Sequence, residues 1–210
     1  MSKEPFSLIV ELPENSLAMA KKAVDEGADA ISLHIDPEKK DKMDLISILK
    51  QIKIPVGAKL LGHSSHDEVN HLIMLGVDFV DFNINLAEDL KLRHDHVARI
   101  GALDHEFKIE DLTKLTDKPL EGVDAAVIPR QVHGKELTVG DLQQYITICL
   151  STGLPVLVPT QKAVKTSEIP LLWDTGAKAV ILTKTVTGGT VTTLAAAVKD
   201  FRSAVDSVKE

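Results

Sequence analysis

The chain has 210 residues, 44% of them hydrophobic, with 24 Lys and Arg against 31 Asp and Glu for a formal net charge of −7. That length supports one good core, and the acidic balance, with no basic run longer than Lys39-Lys40, excludes broad binding to nucleic acid or to an anionic membrane. The single cysteine, Cys149, excludes a disulfide framework and sits in the apolar stretch ITICL as a core thiol. No apolar run approaches the roughly 18 residues of a membrane span, and MSKEPFSLIV lacks the core of a signal peptide, so the chain reads as cytoplasmic.

The first element is FSLIVEL, a strand over 6–12. Leu17, Ala20 and Val24 then recur at helical spacing, with Asn15 or Ser16 as N-cap. A second strand covers 29–35, and Leu45, Ile48, Leu49 and Ile52 form a helix that stops before Pro55. The third strand covers 55–61; HSSH at 63–66 opens the next helix; the fourth strand covers 78–84 and the fifth 96–103. Residues 104–121 make a poor helix, the weakest unit in the chain. Strands at 123–128, 155–159 and 178–183 follow, and the last helix carries the stripe Val191, Leu194, Ala195, Val198 and Val205.

Four of these segments resemble one another: EGADAISL, LGVDFVDF, EGVDAAVI and TGAKAVIL, with glycines 27, 76, 122 and 176 spaced by 49, 46 and 54 residues. They lead the even-numbered strands. Regular alternation of strand and helix across one domain, with no GxGxxG after the first strand, favours a compact (β/α)8 barrel over a doubly wound open sheet. Eight units in this length average about 26 residues each, short for a fold usually near 250.

In such a barrel the active site lies at the C-terminal ends of the strands. The stretch GAKAVILTKTVTGGTVTT places Gly188 and Gly189 after strand 8, at the start of a helix whose first N–H groups are unpaired. Glycines admit a bulky anion; Thr185, Thr187 and Thr190 add hydroxyls, and Lys184 a charge. Phosphate is therefore expected there, held by Thr185, Gly188, Gly189, Thr190 and Lys184, with a Thr-capped turn as the plain alternative. Lys59, inside VGAKLL, either faces the barrel mouth as a catalytic group or forms an ion pair with Glu11 or Asp81. A desolvated lysine can lose its charge and act as base or Schiff-base nucleophile. A Lys59→Met variant is expected to stay folded, losing only the charged tip.

The segment ISLHID sets His34 and Asp36 at the end of strand 2, and VGAKLLG sets Lys59 on strand 3. On these motifs the chain resembles the phosphate-binding (β/α)8 barrels, nearest the ribulose-phosphate-binding group of ribulose-phosphate 3-epimerase and orotidine-phosphate decarboxylase. The first has an H-x-D metal motif and the second a D-x-K-x-x-D motif. Departures accompany the matches: Gly57 and Gly62 stand where the second motif has aspartates, Lys59 replaces the epimerase's strand-3 histidine, and strand 7 ends in VPTQK without a carboxylate. The resemblance implies an enzyme acting on a small phosphorylated metabolite, as isomerase, epimerase or carbon–carbon lyase. AKKAVDEGADAISLHIDPEKKD is also similar to pterin- and corrinoid-linked methyl-transfer barrels, with Asn83 and Asn85 as ring-gripping candidates. A non-catalytic barrel retaining an anion site is the remaining alternative.

The expected catalytic set is Lys59, His34, Asp36 and Asp104, with no cofactor and no bound metal, since two ligands on strand 2 beside a lysine make a poor divalent site. His63 and His66 read as cap or solvent residues, and VKTS at 164–167, similar to the Schiff-base segment of deoxyribose-phosphate aldolase, follows the wrong strand. Glu11, Asp81, His105, Arg130, Gln161 and Lys162 are further polar residues at strand ends. The expected partner is a small phosphorylated molecule, and a homo-oligomer is compatible with the sequence. Convergence of Lys59, Asp104 and His34 in one pocket would separate an enzyme from a scaffold.

Overall fold

The structure is a computed structural model that describes residues 6–36, 43–61, 65–86, 96–112, 115 and 119–209. Eight parallel strands close into a barrel in chain order, β8 pairing with β1. They are β1 Ser7–Glu11, β2 Ala30–Ile35, β3 Val56–Leu60, β4 Phe79–Asn83, β5 Ala98–Ala102, β6 Gly122–Asp124, β7 Val156–Pro159 and β8 Ala179–Leu182. Around them lie α1 Leu17–Asp25, α2 Met43–Gln51, α3 His66–Leu75, α4 Ile109–Leu112, α5 Val139–Ser151, α6 Ile169–Asp174, α7 Lys184–Thr187 and α8 Val191–Lys209. The (β/α)8 expectation holds. In the weak fifth unit, the described helix is the four-residue α4.

Alternation along the strands makes two cores. Leu8, Val10, Ile31, Leu33, Val80, Val123, Val158, Val180 and Leu182 face outward and pack under the helices. A smaller cluster fills the barrel interior, where Ile9, Ala179 and Ile181 meet Ala30, Phe79 and Leu157. Gly57 makes room for Phe79, since a Cβ there would lie 2.0 Å from the ring. Val191, expected in the apolar stripe of α8, is exposed; Phe201 and Val208 complete that stripe instead.

The glycine repeat has a structural meaning. Gly27, Gly76 and Gly176 have φ of 100°, 99° and 93°, the left-handed turn that ends a helix before the strand begins. Two residues later, Asp29 and Asp78 accept the N–H groups of Leu8 and Val56 at 2.7 and 2.8 Å, so the turns before β2 and β4 clasp the bases of β1 and β3. The fourth segment is out of step. Gly122 lies inside β6, and Glu121 supplies the clasp, accepting Arg99 N–H at 2.7 Å. Asp124, which the repeat sets level with Asp29 and Asp78, is therefore moved to the opposite, C-terminal end of its strand.

Candidate active site

Two residues above the interior apolar layer, the inward positions turn polar: Glu11 follows Ile9, Lys59 follows Gly57, Asp81 follows Phe79 and Asp124 follows Gly122. Their side chains converge. Lys59 Nζ lies 2.9 Å from Asp124 Oδ2, 3.1 Å from Glu11 Oε2 and 3.5 Å from Asp81 Oδ2. Burial works against the lysine's charge, but Asp124, Asp81 and Glu11 together outweigh it and hold the pKa well above the ordinary value of 10.5. Lys59 is thus held toward its charged form and makes the ion pairs with Glu11 and Asp81 that the sequence offered as one of its alternatives.

Glu11 also accepts a hydrogen bond from His34, with Nε2 and Oε1 2.9 Å apart. Burial would raise the Glu11 pKa, but His34 and Lys59 overcome it and bring it down to about 2. A carboxylate only accepts, so Nε2 carries the hydrogen and Nδ1 is the basic nitrogen of the neutral ring. The backbone of His34 is held in turn by Asn15, whose amide accepts His34 N–H at 3.1 Å and donates to the His34 carbonyl. Ser16 takes the N-cap of α1, leaving Asn15 for this task. Asp81 is the opposite case to Glu11: complete burial pushes its pKa well up, Lys59 does not compensate, and Asp124 adds to the rise.

The cluster floors a cavity of about 480 Å³ at the barrel mouth. Glu11, His34, Lys59 and Leu61 line it from β1 to β3; Arg130, His133, Pro159, Gln161, Thr183, Lys184 and Thr185 line it from the loops after β6, β7 and β8. On that side Thr160 and Thr183 are clasped, Thr183 N–H donating to Thr160 Oγ1 and Thr183 Oγ1 to Thr160 O, both at 2.8 Å.

His34 and Lys59 therefore share one pocket, whereas Asp104 and Asp36 are not among its lining residues. Asp104 Oδ1 accepts Glu106 N–H in a turn after β5, and Asp36 follows β2, half-buried. In the loop after β8, Lys184 and Thr185 border the cavity. Gly188 N–H donates to Lys184 O, and Thr190 caps α8 by reciprocal bonds with Thr193. Thr187 is buried and donates to Thr183 O. Of the backbone donors expected for phosphate, Gly188 and Thr190 are engaged within the protein.

Asn83 Oδ1 accepts Asn85 N–H at 2.9 Å, and neither asparagine lines the cavity. His66 is exposed at the start of α3, Ser65 being the N-cap; His63 lies outside the described residues. Lys165 of VKTS is exposed and pairs with Glu136 at 3.0 Å. Lys162 is buried against Asp141 at 3.2 Å. Among the described residues, no group of three His, Cys, Asp or Glu side chains is disposed to hold a metal ion, and no helix is long and apolar enough to cross a membrane. Asp124 is the site residue the sequence did not single out. Counting two positions on from an interior glycine, rather than aligning the repeat, finds it.

No protein-family model and no curated protein matches the chain. Solved structures do. A mutant tryptophan synthase alpha-subunit from Pyrococcus furiosus superposes with a TM-score of 0.76 at 14% identity, covering 95% of this chain and 99% of that one. Phosphoribosyl anthranilate isomerase from Thermus thermophilus gives 0.71 at 14%, covering 97% and 100%. Thiamine phosphate pyrophosphorylase from Pyrococcus furiosus gives 0.69 at 15%, covering 97% and 96%. At these identities the likeness establishes the barrel; the finer resemblance to the ribulose-phosphate group rests on the ISLHID and VGAKLLG motifs alone.

Proposed function

We propose that the protein is an enzyme that transfers protons on a small phosphorylated metabolite, an isomerase or epimerase rather than a Schiff-base lyase. The observation that carries this reading is the ammonium of Lys59 fixed among three carboxylates beside the His34–Glu11 pair. A Schiff-base lysine must shed its proton, and Lys59 is built to keep it. His34 Nδ1 takes a proton from a carbon next to a carbonyl, and Glu11 balances the imidazolium that forms. Asp124 and Glu11, the two carboxylates closest to Lys59 Nζ, engage two ammonium hydrogens and leave the third for the substrate oxygen that gains charge. Return of the proton from His34 completes the isomerisation. Asp36 and Asp104, away from the cavity, take no part in this scheme.

The phosphate is held on the β8 side by Lys184 and Thr185, with Gly189 beside them: a Cβ on Gly189 would lie 3.9 Å from Lys184 Nζ. Gly188 and Thr190 shape the turn, and the start of α8 adds a favourable dipole. Two of the similar barrels, phosphoribosyl anthranilate isomerase and thiamine phosphate pyrophosphorylase, are named for phosphate-bearing compounds, which lends this reading support.

A thermal-shift screen with phosphorylated sugars and sugar acids identifies ligands, because binding to the folded state alone raises its stability. Proton NMR of a bound carbonyl ligand in heavy water is then expected to show deuterium entering one C–H position, and His34→Ala to slow that exchange by roughly 10²-fold or more. Borohydride should leave no adduct. A reduced adduct on Lys59 would replace this reading with a lyase, and a ligand that binds without exchange would favour the non-catalytic barrel.

A further inference from the structure

The chain is acidic overall, and two of its three described arginines are neutralised. Arg99 is paired with Glu121, and Arg202 with Asp29 and Asp206. Arg130 alone among the described arginines has no carboxylate partner, and it lines the cavity. It stands on a fixed platform. The loop after β6 turns through a 3-10 segment at Arg130–Val132, with Val132 N–H donating to Pro129 O and His133 N–H to Arg130 O. Gln161 ties that loop to the one after β7: its side-chain oxygen accepts Ile128 N–H at 3.0 Å and its carbonyl accepts Gly134 N–H at 2.9 Å. His133 Nε2, 2.9 Å from Ile128 O, braces the turn from within. A pinned backbone removes the loop's share of the ordering cost when the guanidinium meets an oxyanion.

We propose that Arg130 forms a second anion subsite, so that the substrate carries a carboxylate as well as its phosphate. This rests on the preceding reading of the site. The cavity divides by strand: the proton-transfer groups rise from β1 to β3, while Arg130 and Lys184 stand on loops that flank β7. Loops two strands apart start roughly 10 Å from one another, a span suited to the two ends of a chain of several carbons. One guanidinium fork matches one carboxylate in charge and geometry. A second phosphate would call for another cation, and no other Lys or Arg of the β6 loop lines the cavity. The substrate class is therefore a phosphorylated carbonyl or hydroxy acid, its ends gripped on the β6 and β8 loops and its middle laid over His34 and Lys59.

The test is calorimetric titration of the full chain with two probes that differ only in the second group, 6-phosphogluconate and glucitol 6-phosphate. The carboxylate probe should bind at least about tenfold tighter, the size of one charge-assisted contact. Arg130→Gln should erase that difference and leave glucitol 6-phosphate unchanged, Arg130→Lys should restore it in part, and Lys184→Gln should weaken both probes. Equal affinity of the wild-type protein for the two probes would overturn the subsite. So would an Arg130→Gln variant that weakens both alike, which would make Arg130 part of the phosphate site. Gluconate, titrated as a third probe without phosphate, separates the two readings: if it binds and glucitol 6-phosphate does not, the phosphate reading fails while the carboxylate subsite stands, and if no probe binds, both fail.

Discussion

Lys59 shows how one residue is set by its surroundings. From the sequence, replacement by methionine is expected to leave the barrel folded at the cost of the charged tip; the structure adds that methionine would leave Glu11 and Asp124 buried without their cation. Breaking such a cluster from one side costs about 3 kcal/mol, so Lys59→Met should unfold at markedly lower urea. The pH dependence has a definite sign. In the wild type the Glu11 pKa is depressed from 4.5 to about 2, so its contribution is complete above pH 4.5 and is lost as the pH falls through that interval. In Lys59→Met the stranded carboxylates gain protons on folding, and stability should instead improve on acidification from pH 7 to 4.5. Asp81→Asn is the contrasting case. A carboxyl whose folded pKa is raised is fully stabilising below its ordinary value of 3.8 and progressively less so as the pH rises. The asparagine variant should match wild type near pH 4 and equal or exceed it at pH 7.5 in urea titrations. Glu11 and Asp81 could be named in advance as partners of Lys59, being polar residues at strand ends. Asp124 could not, because its segment imitates the others while its strand begins three residues early relative to them.

At the scale of the element, the repeats that lead β2 and β4 are helix stops followed by clasps. Asp78→Ala frees the Val56 N–H at the base of the barrel, far from the mouth. It should cost about 1 kcal/mol and leave ligand affinity unchanged, as a denaturation curve and a titration will show. The turn into α8 separates two glycines that look alike in sequence. Gly188, at φ 69°, has Thr193 Oγ1 2.7 Å from where a Cβ would sit, so Gly188→Ala should loosen the α8 cap and lower the melting temperature. At Gly189 a Cβ meets only the flexible end of Lys184, at 3.6 Å and beyond. Gly189→Val should therefore preserve the fold and weaken phosphorylated ligands by displacing Lys184, as calorimetry can check. Seven of the eight strands were legible to within a residue or two, because runs covered on both faces are apolar and end at turn residues; the sixth, expected over 123–128, ends already at Asp124. Which polar residues at those ends share a cavity was not legible. Hydrophobic spacing reports burial, whereas the aim of Asp104 and Asp36 depends on turns made after each strand.

In the proposed scheme, taken whole, β1, β2 and β3 carry the chemistry and the loops after β6, β7 and β8 the recognition, while β4 and β6 place Asp81 and Asp124 beneath. The fold alone does not dictate that division; it follows from where the inward positions turn from apolar to charged. The central claim is that Lys59 is a permanent ammonium around which proton transfer is organised. The most direct measurement is an NMR pH titration of Lys59 with labelled side-chain carbon and nitrogen, the resonance assigned by its loss in Lys59→Arg. The account predicts that the signal stays that of the charged form as the pH passes 10.5, the ordinary lysine value, while exposed lysines titrate around it. A Lys59 that loses its proton at or below that value would contradict the account and return the residue to the Schiff-base class.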